Sequence, residues 1–228
     1  MTGWTGFTLA MGAFLLTHFV PTRPSVRSRL LAAFGRRAWF SIYGFISLAV
    51  TAWVIVAAGQ APYLELWPQV PWTRWVPNLL VPLAVLLAAL GLPAPTVTLG
   101  GPRQPRASAR PDLSALTRHP LLWSLALWSG AHLAPNGDLA HVILFGLFLA
   151  LALGAMPLFD ARARAALGPR APVYFAAHPL LSLAPLLDGA WWRGTGLRLL
   201  PRAALALALW LALLWLHPWV IGVSPLPL

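Results

Sequence analysis

Residues 27–58 read RSRLLAAFGRRAWFSIYGFISLAVTAWVIVAA. The stretch changes character at one point: four arginines (Arg27, Arg29, Arg36 and Arg37) lie before Ala38, and no charged residue follows as far as Ala58. A helix needs ~20 mainly apolar residues to cross the hydrocarbon layer of a bilayer, and basic residues flanking such a run mark the cytoplasmic side. The pattern recurs along the chain. Charge-free runs occupy residues 1–22, 38–64, 75–102, 119–137, 139–159 and 203–228. They predict six transmembrane helices near 2–20, 38–58, 76–93, 119–135, 139–157 and 199–221. The first run lacks a basic leader and a small-residue cleavage site, so it is read as a retained span and not a signal peptide.

Arginines orient these spans. Fifteen of the sixteen lie in three segments: after the first span (residues 23–37), after the third (103–118) and between the fifth and sixth (162–202), whereas Arg74 stands alone on the other side. Both termini are therefore expected outside, with the basic loops cytoplasmic. Tryptophans accompany the span ends, with Trp67, Trp72 and Trp75 in the outer loop between the second and third spans and Trp215 and Trp219 at the close of the sixth span. The Pro- and Gly-rich stretch 93–111 reads as an irregular cytoplasmic loop. Residues 171–187, interrupted by Pro172, Pro179 and Pro185, read as interfacial or re-entrant.

Composition narrows the classes further. Of 228 residues, 59% are hydrophobic and 9% charged, against ~25% charged in soluble domains. This excludes water-soluble, nucleic-acid-binding and disordered chains, and the net charge of +11 belongs to topology. With no cysteine, disulfides, thiolate nucleophiles, iron–sulfur clusters and Cys-ligated zinc are impossible. The expectation is an all-α, polytopic membrane protein, a single integral domain over residues 1–228, in a bacterial cytoplasmic membrane.

Six histidines carry the available chemistry: His18, His119, His132, His141, His178 and His217. Imidazole is the strong ligand left for a redox metal, and two histidines from different helices can clamp haem iron from opposite faces. His18 and His132 are candidates, at depths that differ by roughly 10 Å at 1.5 Å rise per residue. His141 and His217 share the outer level with His132 and are alternatives. Each also has a plainer reading: an intramembrane His hydrogen-bonds a neighbouring helix, Asn136-Gly137-Asp138 forms a tight turn, and Arg118-His119-Pro120 opens a helix. A zinc hydrolase fits less well, since Asp138 is the sole acid near the outer histidines.

The block Arg118-His119-Pro120, Trp128, Ala131-His132-Leu133, Asn136-Gly137-Asp138 resembles the NnrU family of membrane proteins, which includes the cis-zeta-carotene isomerase. His18 with Pro21 and Pro24, Phe34-Gly35-Arg36-Arg37, Tyr43 to Leu48, Leu66-Trp67 and the tail from Asp160 to Gly189 extend the resemblance over most of the chain. It implies a b-type haem ligated by His18 and His132, with Arg118, His119, Asn136 and Asp138 as further cofactor-site residues. The isomerase has a cysteine three residues before its second histidine, and Ser129 stands there in this chain. Two activities follow from the resemblance: cis–trans isomerisation of a polyene at haem, or a haem accessory or sensor role in denitrification and nitric oxide metabolism. The expected partners are then a hydrophobic polyene or nitric oxide, within the lipid bilayer. Arg118-His119-Pro120 is also similar to the S-adenosylmethionine-dependent membrane methyltransferases of isoprenylcysteine and phospholipids. The residues after it and the reduced closing segment (Asp160, then Gly168 and Tyr174) depart from that pattern.

Overall fold

A computed structural model describes residues 3–92 and 113–227; the predicted loop 93–111 lies outside the described residues. Most of these residues are helical, with no strand among them. The main helices are α1 (Trp4–Phe19), α2 (Pro24–Gly59), α3 (Trp75–Gly91), α4 (Pro120–Leu133), α5 (Leu139–Leu167), α6 (Ala171–Ala177) and α7 (Leu197–Val220). Four stretches are long and apolar enough to cross a membrane: Pro24–Gly59, Pro71–Gly91, Leu139–Ala177 and Gly189–Val220. The first and fourth predicted spans coincide with α1 and α4, which have 16 and 14 residues. Large apolar side chains face outward along α7, where Leu205, Trp215 and Trp219 are 70–79% exposed. A monomer in water rarely presents so continuous an apolar face, whereas lipid requires one.

Two departures from the predicted elements have local causes. The basic segment after α1, read as a loop, is helical from Pro24, whose fixed φ suits a first helical position. Charged residues do not forbid a helix, and Leu30, Leu31, Ala32 and Ala33 favour one. The helix breaks at Gly35, with φ 72° and ψ 162°, a backbone conformation open to glycine. The fifth helix runs ten residues beyond its predicted end at Pro157, to Leu167. Pro157 is accommodated inside it, and Asp160, Arg162 and Arg164 mark where its surroundings turn polar.

The chain forms two compact units. The first comprises Met1–Pro68 and Gly137–Leu144. Within it α1 packs on α2, with Phe7, Ala10 and Phe14 buried on one helix and Val54, Ala57 and Ala58 on the other. Residues 64–67 run antiparallel to 137–139: the Leu66 amide donates to the Gly137 carbonyl at 2.7 Å, and the Leu139 amide to the Leu64 carbonyl at 2.9 Å. Gly137 is needed for this approach, because a Cβ there would land on the Trp67 carbonyl oxygen and indole ring.

The second unit comprises Gln69–Asn136 and Phe145–Leu228. Here α3 packs against α4 and α7. The Ser124 hydroxyl donates across to the Ala84 carbonyl at 2.7 Å, tying α4 to α3. Leu90, Leu113 and Leu199 close the core at one end, and Ala163, Leu167, Ala171 and Tyr174 form a second cluster where α5 turns into α6.

Candidate functional site

Helix α4 carries His132 on a face crowded with aromatic rings. Its Nδ1–H donates to the Trp128 carbonyl one turn back, at 2.7 Å. A carbonyl can only accept, so the proton of the neutral ring sits on Nδ1 and the Nε2 lone pair remains for a ligand. No hydrogen-bond partner for Nε2 is found among the described residues. The ring stacks on Phe145 at 5.1 Å between centroids and lies 5.1 Å from the Trp128 ring. Trp128 in turn meets Phe148 and lines an apolar cavity of about 270 Å³, with Ala84, Val85, Ala88, Ser124 and Leu209 among its other walls. The Ser124 hydroxyl is engaged by Ala84, so the cavity wall offers a polar ligand little to bind.

Ser129, where the resembling isomerase has its cysteine, is fully buried, and its hydroxyl donates to the Leu125 carbonyl at 2.6 Å. The side chain is tied back onto its own helix and does not reach toward a ligand site.

In the first unit, His18 near the end of α1 repeats the arrangement seen at His132. Nδ1–H donates to the Phe14 carbonyl at 2.8 Å, and the ring stacks on Phe14 at 4.1 Å. Nε2 accepts from the Ser47 hydroxyl of α2 at 2.8 Å. Ser47 was not among the predicted site residues. Only the resembling run Tyr43 to Leu48 hinted that this part of α2 had a role.

The second unit also holds a partly buried ion-pair cluster. Arg118 approaches Asp160 with both arms of its guanidinium: Nε donates to Oδ1 at 2.8 Å, and a terminal nitrogen donates to Oδ2. His119 Nε2 lies 2.8 Å from the same Oδ1, and its ring is completely buried. As the carboxylate accepts, the imidazole donates. Arg118 further donates to the His178 carbonyl at 3.2 Å and lies over the Phe175 ring at 5.0 Å. Around it, the Arg118 amide donates to the Pro179 carbonyl and the Thr117 hydroxyl to the Leu180 carbonyl. Asp160 thus fastens the start of α4 to α5, while Arg118 and Thr117 tie it to the segment after α6. One of only five acids in a basic, apolar chain, it could have been singled out on that ground.

The remaining candidates serve the hairpin and helix ends. Asn136 donates from its amide to the His132 carbonyl at 2.7 Å, closing α4. Asp138 is buried and precedes α5; its carboxylate accepts from the His141 amide at 3.2 Å, as an N-cap does, and from the His141 ring at 2.8 Å. His178 stacks on Tyr174 at 4.3 Å, and His217 donates to the Val223 carbonyl at 2.7 Å. Among the described residues, no three His, Asp or Glu side chains gather as a metal-binding group.

The family model described as NnrU protein matches residues 6–225. The chain belongs to the NnrU family. No curated protein and no solved structure matches it. In this NnrU chain the two histidines of the resembling pair share one feature of metal-binding imidazoles. An axial histidine typically has its second nitrogen held by a carbonyl or carboxylate, which fixes ring and tautomer. His18 and His132 both have Nδ1 held by a carbonyl, and Nε2 of His132 has no hydrogen-bond partner among the described residues.

Proposed function

We propose that this NnrU-family chain is a membrane-embedded haem b protein in which His18 and His132, the pair the family resemblance implies, would hold the haem, acting as a cis–trans isomerase of a polyene. The observation that carries the reading is the carbonyl-anchored tautomer of His132, whose Nε2 lone pair stands among Trp128 and Phe145. When bound, the haem would supply an electron-rich iron able to lower the order of a double bond. The protein's own part is binding and orientation. Carbonyls of Phe14 and Trp128 hold the two imidazoles in their ligating form. The cavity lined by Trp128 suits a segment of an apolar chain, because its alanine and leucine walls are apolar.

Ser129 favours a second reading at the same haem. Its hydroxyl is engaged by Leu125, and the chain has no thiolate to exchange onto the iron. A haem accessory or sensor role in nitric oxide metabolism needs a binding position at the iron but no such exchange. The methyltransferase alternative is supported less, since Arg118 and His119 would have to meet a cofactor while both are engaged by Asp160.

The test is absorption spectroscopy of the protein purified in mild detergent, oxidised and dithionite-reduced. A sharp Soret band with b-type α and β bands is expected, and His18→Ala or His132→Ala should abolish or shift it. A colourless protein that stays colourless on haem titration refutes the reading. Conversion of a cis polyene by the reduced protein supports the isomerase, whereas nitric oxide binding without conversion supports the accessory role.

A further inference from the structure

We propose that residues 24–34 form an interfacial helix that docks on anionic phospholipid, with the neighbouring arginines holding the lipid phosphates. The proposal does not depend on haem. Its first support is the break at Gly35, which separates an eleven-residue helical segment from the apolar remainder of α2. At 3.6 residues per turn, Val26, Leu30 and Phe34 recur every fourth position and make one apolar stripe. Phe34 is 51% exposed. Arg27 and Arg29 fall on opposite edges of that stripe, about 100° per residue around the helix.

Charge supplies the second support. Arg23, Arg27, Arg29, Arg36 and Arg37 are all exposed. No acidic residue occurs before Glu65, so these five charges have no local counter-ion within the first 64 residues. Among the described residues none of them forms an ion pair; Arg36 lies over the Phe40 ring at 5.3 Å. An apolar stripe flanked by arginines is the pattern of a helix lying in the headgroup region, its aliphatic side chains inward and its guanidiniums at phosphate depth. A soluble polyanion would satisfy the arginines but has no use for Leu30 and Phe34. The stripe also leads directly into the apolar run 38–58 that reads as a span.

The experiment titrates the full-length protein in neutral detergent with phosphatidylglycerol and, separately, with phosphatidylcholine of the same acyl chains, and counts bound lipid by native mass spectrometry. Phosphatidylglycerol should be preferred. A basic residue near an anionic surface contributes ~1 kcal/mol, which is about fivefold per arginine, so R27Q/R29Q should weaken phosphatidylglycerol binding roughly 25-fold and leave phosphatidylcholine unchanged. R170Q/R193Q, which neutralises two exposed arginines of another basic segment, should weaken it by a smaller factor than R27Q/R29Q. The wild type supplies an arm that needs no variant: in 1 M salt, where the Debye length falls to ~3 Å, the preference should fade. Equal losses in the two double variants overturn the proposal, as does an unchanged preference in R27Q/R29Q. Displacement of the lipid by equimolar glycerol phosphate also overturns it, because the site would then read a free phosphate and not a membrane surface.

Discussion

Replacing Asp160 by alanine tests whether the Arg118–His119–Asp160 cluster holds the second unit together. The carboxylate accepts two bonds from Arg118 and one from His119, with side-chain exposures of 10% for Arg118, 15% for Asp160 and 0% for His119. Hydrogen bonds to charged groups contribute about 1.5–3 kcal/mol each, so losing three sets an upper range of about 4.5–9 kcal/mol. Two features reduce this. Arg118 keeps the His178 carbonyl and the Phe175 face, and a slightly exposed guanidinium recovers some water. Breaking a buried pair from one side costs about 3–5 kcal/mol, and that is the expected loss for Asp160→Ala. In an SDS titration of the micelle-bound protein followed by tryptophan fluorescence, the unfolding equilibrium should shift by at least two orders of magnitude at 1.36 kcal/mol per decade. Replacing Arg118, His119 and Asp160 together by leucine should recover much of the loss, because the desolvation cost of the charges disappears and no member of the cluster is left without its partner. The haem spectrum of folded Asp160→Ala should match the wild type, as the cluster contributes neither proposed ligand. A destabilisation below about 1 kcal/mol would place the pair among ordinary surface ion pairs and refute the reasoning.

Three further outcomes follow from the same structure. Ser47→Ala removes the hydroxyl that occupies His18 Nε2; with a net hydrogen bond near 1 kcal/mol gone, haem titration should give roughly fivefold tighter binding, and weaker binding would argue against His18 as a ligand through Nε2. Gly137→Ala drives a methyl group into the Trp67 carbonyl and indole, and should cost about 1–3 kcal/mol in the same SDS titration; Gly130→Ala, whose added carbon meets Leu149 at an ordinary 3.8 Å, is the control and should be neutral or stabilising. Asp138→Ala removes the cap of α5 and the partner of His141, for an expected loss of about 1–2 kcal/mol, and an unchanged midpoint would deny the capping role.

Helix positions were legible because hydropathy and charge act over whole segments. An uncharged run long enough to span a bilayer has few other structures open to it, and each of the six predicted spans coincides with a helix. The missed helix before Gly35 shows the limit of that logic. Arginine density distinguishes membrane from water but not loop from helix, and the deciding features were local: Pro24 at the start and a positive-φ glycine at the end. Site residues were legible unevenly for a related reason. His132 stands out as a polar side chain in an apolar run, whereas Ser47 looks like any small residue that a helix tolerates. Its hydrogen bond to His18 spans 29 positions, and no periodicity within α2 encodes it.

The motif from Arg118 to Asp138 mixes two kinds of residue, and the satisfaction of polar atoms separates them. Asn136 closes α4 on the His132 carbonyl, Gly137 admits Trp67, Asp138 caps α5, and Arg118 and His119 are held by Asp160. Each has a structural task that accounts for its side-chain chemistry, so its presence in a family pattern does not by itself argue for contact with a cofactor. His132 differs. Its anchored nitrogen fixes the ring, and its other nitrogen has no partner among the described residues in a setting of aromatic rings. Leaving a half-buried acceptor unmatched costs free energy, and a ligand bound there would return it. Of the residues in this block, His132 is therefore the one whose substitution should change binding of the proposed haem directly, while changes at the others should act first on stability.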